Sequence, residues 1–151
     1  VMPREAVAAT VRRLWEAGDR HGRPPEPTPE VDPWDEGDPY PEPSATAAVV
    51  VFAGAPSITV RLAVAGPDVV LVEDVVDFEV PRADTVALVE ALLGGRARLT
   101  TNGRRVARWV AALFAGALAT VRVPVEGGRA YTAPVPTFAW SSWVGSLPID
   151  P

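Results

Sequence analysis

Carboxylates gather at two places in this chain where they could do chemistry. The stretch "EVDPWDEGDPYPEP", residues 30–43, sets six carboxylates, four prolines, Trp34 and Tyr40 within fourteen residues. The stretch "EDVVDFE" holds Glu73, Asp74, Asp77 and Glu79. Clustered acids can ligate divalent cations, act as acid–base pairs, or form contact surfaces for cationic proteins. Spacing tests the first use directly. With Gly37 as the sixth residue of a calcium loop, Asp32, Glu36 and Asp38 fall at positions one, five and seven, but position three is Trp34 and position twelve is Pro43. Such a loop needs an oxygen donor at three and a bidentate Glu at twelve. The match fails, leaving at most a weak cation site on Asp32, Asp35 and Asp38. Otherwise the stretch is either a solvated acidic spacer or an arm. In an arm, Trp34, Asp35, Glu36, Asp38 and Tyr40 dock on the chain's own sheet or bind a partner protein. A Pro-rich strand has little ordering entropy left to lose, which suits an arm.

If the second stretch is one unbroken strand, Glu73, Asp77 and Glu79 project from one face. That face could hold a divalent cation, work on a glycosidic bond, or meet an Arg-rich protein surface. The plainest reading is the polar side of a half-covered strand, whose charge discourages edge-to-edge pairing.

Three further groups stand out. Arg104, Arg105 and Arg108 follow "TTNG" and form a candidate anion-binding patch, for a phosphate or for the acidic arm. Trp140 and Trp143 flank "SS"; they either strap across the core or are buried by a partner. His21 is the only histidine, so it cannot make a zinc site alone, and beside Arg20 and Arg23 a surface or helix-capping role is the ordinary one. Ser141, Ser142 and Ser146 are the hydroxyls a triad would need. The chain has no cysteine, which excludes thiolate catalysis, disulfides and sulfur-ligated metal. Neither a Walker A sequence nor G-x-G-x-x-G nor G-x-S-x-G occurs. No cofactor and no metal are expected.

Composition narrows the classes further. The 151 residues are 48% hydrophobic, and one domain of that size buries about 70% of the surface its unfolded chain exposes. The net charge is −5. Residues 1–43 carry ten acids against five Arg, and residues 96–151 two acids against seven Arg. This balance argues against a nucleic-acid binder driven by bulk charge and permits charge-steered docking on a protein. No apolar run reaches the ~20 residues of a membrane span, and the first residues lack the basic-then-apolar order of a signal peptide. A cytoplasmic protein without membrane contact is expected.

The elements that would position these groups can be read in outline. Residues 3–18 predict a helix with Val7, Val11, Leu14 and Trp15 on its buried face and Gly18 at its exit. Residues 23–43 contain eight prolines and predict an extended connector. The stretches "TAAVVVFAG", "SITVRLAVAG" and "DVVLVEDVVDFEV" predict three strands, the third with a bulge or kink near Glu73–Asp74. "PRADTVALVEALLGG" predicts a helix closed by Gly94–Gly95, and "RARLTT" a short strand. Residues 104–118 fit a helix better than an Asn102–Gly103 hairpin. Around Gly127–Gly128 a two-residue turn would place Val125 opposite Ala130 and Val123 opposite Thr132, with Pro124 on an edge strand.

The expected architecture is α+β: a mixed or mainly antiparallel sheet of about five to six strands with helices packed on one face. The N-terminal helix occupies 1–22, the Pro-rich acidic connector 23–43 and the α+β core 44–151, one domain overall. The expected function is a non-enzymatic protein-binding module, an object of the size and charge of toxin-neutralising immunity proteins or of secretion and assembly chaperones. Its partner is another protein, a basic one being the complement of the acidic surfaces, and a homodimer is compatible with the same surfaces. One alternative is an enzyme using Glu73, Asp77 and Glu79, with or without a divalent metal. The other is a small apolar-ligand domain with a pocket lined by Trp109, Phe114 and Trp140.

Overall fold

A computed structural model describes residues 3–34, 41–101, 119–135 and 142–149. It is α+β, with antiparallel strands in two sheets of four and three. Helix α1 (Pro3–Arg20) precedes β1 (Thr46–Phe52), β2 (Ile58–Ala63), β3 (Asp68–Val72) and β4 (Val76–Val80). Helix α2 (Arg82–Leu93), β5 (Arg98–Thr101), β6 (Ala119–Pro124), β7 (Ala130–Pro134) and a short α3 (Ser142–Ser146) follow. The first sheet has the order β1-β2-β3-β4 and the second β5-β6-β7, so the single sheet of five to six strands is corrected.

The first sheet is built on alternation. Val50, Phe52, Ile58, Val60, Leu62, Val70, Val72, Val76, Phe78 and Val80 are buried. Their neighbours Thr59, Arg61, Val69, Leu71, Asp77 and Glu79 are half-buried or exposed. A period of two puts these sets on opposite faces of one sheet. Helix α2 touches α1, β3 and β6. A helix contacted from three sides needs apolar residues around most of its circumference, and Val86, Leu88, Val89, Ala91 and Leu92 are all buried.

The long third strand is in fact a hairpin. Glu73 and Asp74 take φ of 55° and 54°, and the Val75 amide donates to the Val72 carbonyl at 3.1 Å. Two consecutive left-handed residues make a turn with the twist that antiparallel strands require. Neither is Gly or Asn, so the composition signal for a turn is missing. The β6–β7 register is also shifted from expectation: Pro124 pairs with Ala130, Val123 with Tyr131 and Arg122 with Thr132. Gly127 and Gly128 do take positive φ, 83° and 75°, but Glu126 joins them in the turn and moves the pairing by one residue. Pro124 lies on the central strand, not an edge. It is tolerated because β5 pairs only as far as Arg122, leaving Pro124 beyond the ladder.

Helix α1 runs two residues past Gly18. Its end is set by Gly22, at φ +67°, with Arg23 N–H donating to Gly18 O at 2.8 Å and Gly22 N–H to Asp19 O at 3.1 Å. This is a Schellman closure. Gly18 has another role: a Cβ there would meet the Arg23 carbonyl at 2.5 Å and Phe52 at 2.8 Å. The buried face is Val7, Thr10, Leu14 and Ala17, while Trp15 is 39% exposed. The expected stripe was therefore rotated toward Trp15, which lies outside the core.

Candidate functional site

The face of α1 beside its buried stripe forms one wall of a groove of about 770 Å³. Arg4, Ala8, Val11, Arg12 and Trp15 line that wall, at the spacing that stacks side chains along one helix face. Residues 27–32 and Trp34 of the connector line another wall, and Ala47, Ala48 and Val49 of β1 close the groove. The lining is mainly apolar with charges at the rims.

The connector owes its course to its prolines. Arg23 anchors its start, donating to Ala53 O at 2.7 Å and Pro56 O at 2.6 Å. Glu26 then lies antiparallel beside Val51, its amide 2.8 Å from the Val51 carbonyl. Since Glu26 N–H points at β1, the alternate positions Pro27 and Pro29 would have pointed away, and their missing donors remove nothing from the ladder. At Thr28 the contact with β1 is made by the side chain, Oγ1 donating to Val49 O at 2.8 Å. Backbone pairing has ended there and the connector peels off β1, opening the groove. Asp32 accepts the Trp34 amide at 3.1 Å in a local turn and forms an ion pair with Arg4. The Arg4 guanidinium lies 5.9 Å from the Trp34 ring centroid, within cation–π range. The far end of the groove is thereby pinned to the first turn of α1.

A second polar feature joins the two sheets. Asp68 is fully buried. It accepts the Ala63 amide at 3.0 Å, the Thr85 hydroxyl at 2.7 Å, and Arg82 through Nε at 2.6 Å and a terminal nitrogen at 2.8 Å. Arg82 also donates to Ala63 O at 2.6 Å. Asp84, 4% exposed, accepts Arg129 at 2.6 Å and the Tyr131 hydroxyl. Burial, then this bond to Asp84, raises the Tyr131 pKa above its ordinary value. Among the described residues no buried side-chain polar atom lacks a partner. A network satisfied in this way orders the packing of α2 on both sheets.

The expected site residues are placed unevenly. Trp34 is half-buried against the core cluster and the groove. Asp35, Glu36, Asp38 and Tyr40 lie outside the described residues, as do Arg104, Arg105, Arg108, Trp109, Phe114 and Trp140. Asp77 and Glu79 are exposed on β4, opposite Leu71 and Val69. Glu73 does not share their face: it sits in the β3–β4 turn, its amide donating to Ser57 O at 2.9 Å. The three-carboxylate face is corrected because the turn ends the strand before Glu73 can join it. Among the described residues, no three His, Asp or Glu side chains come together as a metal site, and no helix is long and apolar enough to cross a membrane. Trp143 is 9% exposed and belongs to the core, so it offers little free surface. Its neighbouring segment lies along β5, with the Leu99 amide donating to Pro148 O at 2.8 Å.

Arg12, Val31 and the Asp68–Asp84 network were not singled out in the sequence, and Trp15 was read there as part of the buried face of α1, whereas it is exposed in the groove. Trp15 carried a signal: it stands at the edge of the apolar arc of Val7, Leu14 and Ala17, where the helix surface turns to Arg12. Asp68 and Asp84 carried another, being acids at the edges of otherwise apolar elements. No protein-family model, curated protein or solved structure matches the chain.

Proposed function

We propose that this chain is a non-enzymatic protein-binding module and that the groove between α1 and the connector is its principal contact surface. One observation carries the reading. Trp15 and Val31 are exposed large apolar side chains, 39% each, and both line the same groove. An exposed Trp in a concave apolar patch is the residue type that dominates binding energy when a partner covers it. The acidic surface of Asp77 and Glu79 on β4 is a secondary contact, suited to a partner with basic surface, and with the net charge of −5 it gives association a salt-sensitive rate. A toxin-neutralising or chaperone-like role in the cytoplasm belongs to the same proposal. So does self-association, with a second copy as the partner.

The test is capture of a stoichiometric partner from native-host lysate at low salt, with wild type and Trp15→Asp compared side by side. The reading expects a partner retained by wild type and lost by the variant while its circular dichroism is unchanged. Equal retention by both, or no partner at all, would remove it.

A second reading, a small apolar-ligand domain, draws support from the groove volume, which falls in the ~300–1,000 Å³ range of ligand pockets. Its test is a thermal-shift screen of apolar compounds against wild type and Trp15→Asp, with a shift confined to wild type expected.

A further inference from the structure

We infer that the groove takes an extended peptide segment of about five residues, apolar in its body and carrying an acid for Arg12 and a base for Glu30. This rests on the protein-binding reading and specifies the shape and charge of what is bound.

The length of the groove sets the length of the segment. Lining residues on α1 run from Arg4 to Trp15, eleven steps of ~1.5 Å, or roughly 16 Å. At ~3.3 Å per residue the length accommodates about five residues of strand.

The course of the connector supports the same occupant. It pairs with β1 through backbone at Glu26, only through a side chain at Thr28, and then departs. The groove therefore lies where a neighbouring strand would continue beside Ala47–Val49. The rims supply direction. Arg4 is paired with Asp32. Arg12 and Glu30, both lining the groove, are exposed and form no ion pair among the described residues. One unpaired charge of each sign on opposite walls favours a segment with the complementary pair and penalises its charge-reversed counterpart. Trp15 provides the large apolar contact.

A displayed library of random twelve-residue peptides, panned on the full chain and counter-selected on Trp15→Asp, tests this. The expected enriched peptides share a core of about five residues without i, i+4 apolar spacing. Their circular dichroism shows no helix gain on binding. Arg12→Glu weakens a selected peptide at least tenfold, and replacing the peptide's acid with Lys restores binding to that variant; Glu30→Arg does the same for the base. Failure to enrich any peptide, enrichment of helical ones, or indifference to both charge reversals would overturn the inference. Lysate capture sensitive to Trp15→Asp, with no peptide enriched, would leave the protein-binding reading standing and remove only this occupant.

Discussion

Asp68→Ala gives the sharpest prediction about what holds the fold together. Four hydrogen bonds converge on a carboxylate with no solvent exposure. Counted singly at about 1.5–3 kcal/mol for a charged partner, they would sum to an implausible ~6–12 kcal/mol. Two features lower that figure. Arg82 keeps its bond to Ala63 O at 2.6 Å, and its side chain is 24% exposed, so water can reach the abandoned guanidinium. The Ala63 amide and Thr85 hydroxyl have no such relief, although Thr85 retains a 3.3 Å contact with Pro81 O. The expected loss is thus at the lower end of the range for breaking a buried ion pair, about 3–4 kcal/mol. Against a typical ~5–15 kcal/mol for a domain, the variant folds but weakly. Urea unfolding followed by circular dichroism should show the midpoint falling by ~1.5–2 M at a slope near 2 kcal/mol per M. In a double-mutant cycle, Arg82→Ala added to Asp68→Ala should cost clearly less than the two single losses together. A loss under ~1 kcal/mol, or strict additivity, would refute the argument that this carboxylate is a closed, water-free node.

Other predictions follow from single contacts. Leu14→Ala, at 0% exposure, should cost about 2–5 kcal/mol, whereas Trp15→Ala should stay within ~0.5 kcal/mol; urea unfolding of both reads which stripe of α1 is buried. Gly18→Ala should destabilise by about 1–3 kcal/mol through its clash with Arg23 O and Phe52, despite Ala being the better helix former. Replacing Glu73–Asp74 by Asn-Gly should raise stability by about 1 kcal/mol, since both positions hold left-handed backbone; no change in the urea midpoint would argue against strain there. Tyr131 has a raised pKa in the folded protein, so its folded state favours the neutral phenol. The stability it contributes is whole below the ordinary phenol value of ~10 and is lost as pH rises through the higher folded value. Tyr131→Phe should flatten stability against pH in that alkaline range, read by urea midpoints from neutral pH upward.

What the sequence revealed follows from where its signals are local. Strand β2 was legible because Ile, Val and Leu alternate with Thr, Arg and Ala, and β1 because its Val-rich run ends at a Gly- and Pro-marked turn. Helix α2 was legible from Pro81 at its start and its closing Gly94–Gly95. The β3–β4 turn was legible only as a bulge or kink near Glu73–Asp74, because these residues adopt left-handed backbone without the Gly or Asn that usually announces a turn. The β6–β7 register was missed because Glu126 enlarges a turn whose two glycines look sufficient. Trp15 was assigned inward because apolar periodicity measures the width of a helix face without saying which part meets the sheet. Asp68 and Asp84 stand out only as acids at the edges of apolar elements, and their partners Arg82, Arg129 and Tyr131 are brought to them only by the packing of α2 against β3 and of β7 nearby. The groove likewise arises from the path of the connector: the prolines predict that it is extended, and only the contacts of Arg23, Glu26, Thr28 and Asp32 say against what.

Hydrogen–deuterium exchange of the chain, free and saturated with a captured partner or selected peptide, tests the central claim most directly. Protection concentrated in residues 4–15, 27–34 and 47–49, with β4 changing less, is the predicted footprint. Protection centred on β4 around Asp77 and Glu79, with α1 and the connector exchanging as in the free chain, would contradict the assignment of the groove as the binding surface.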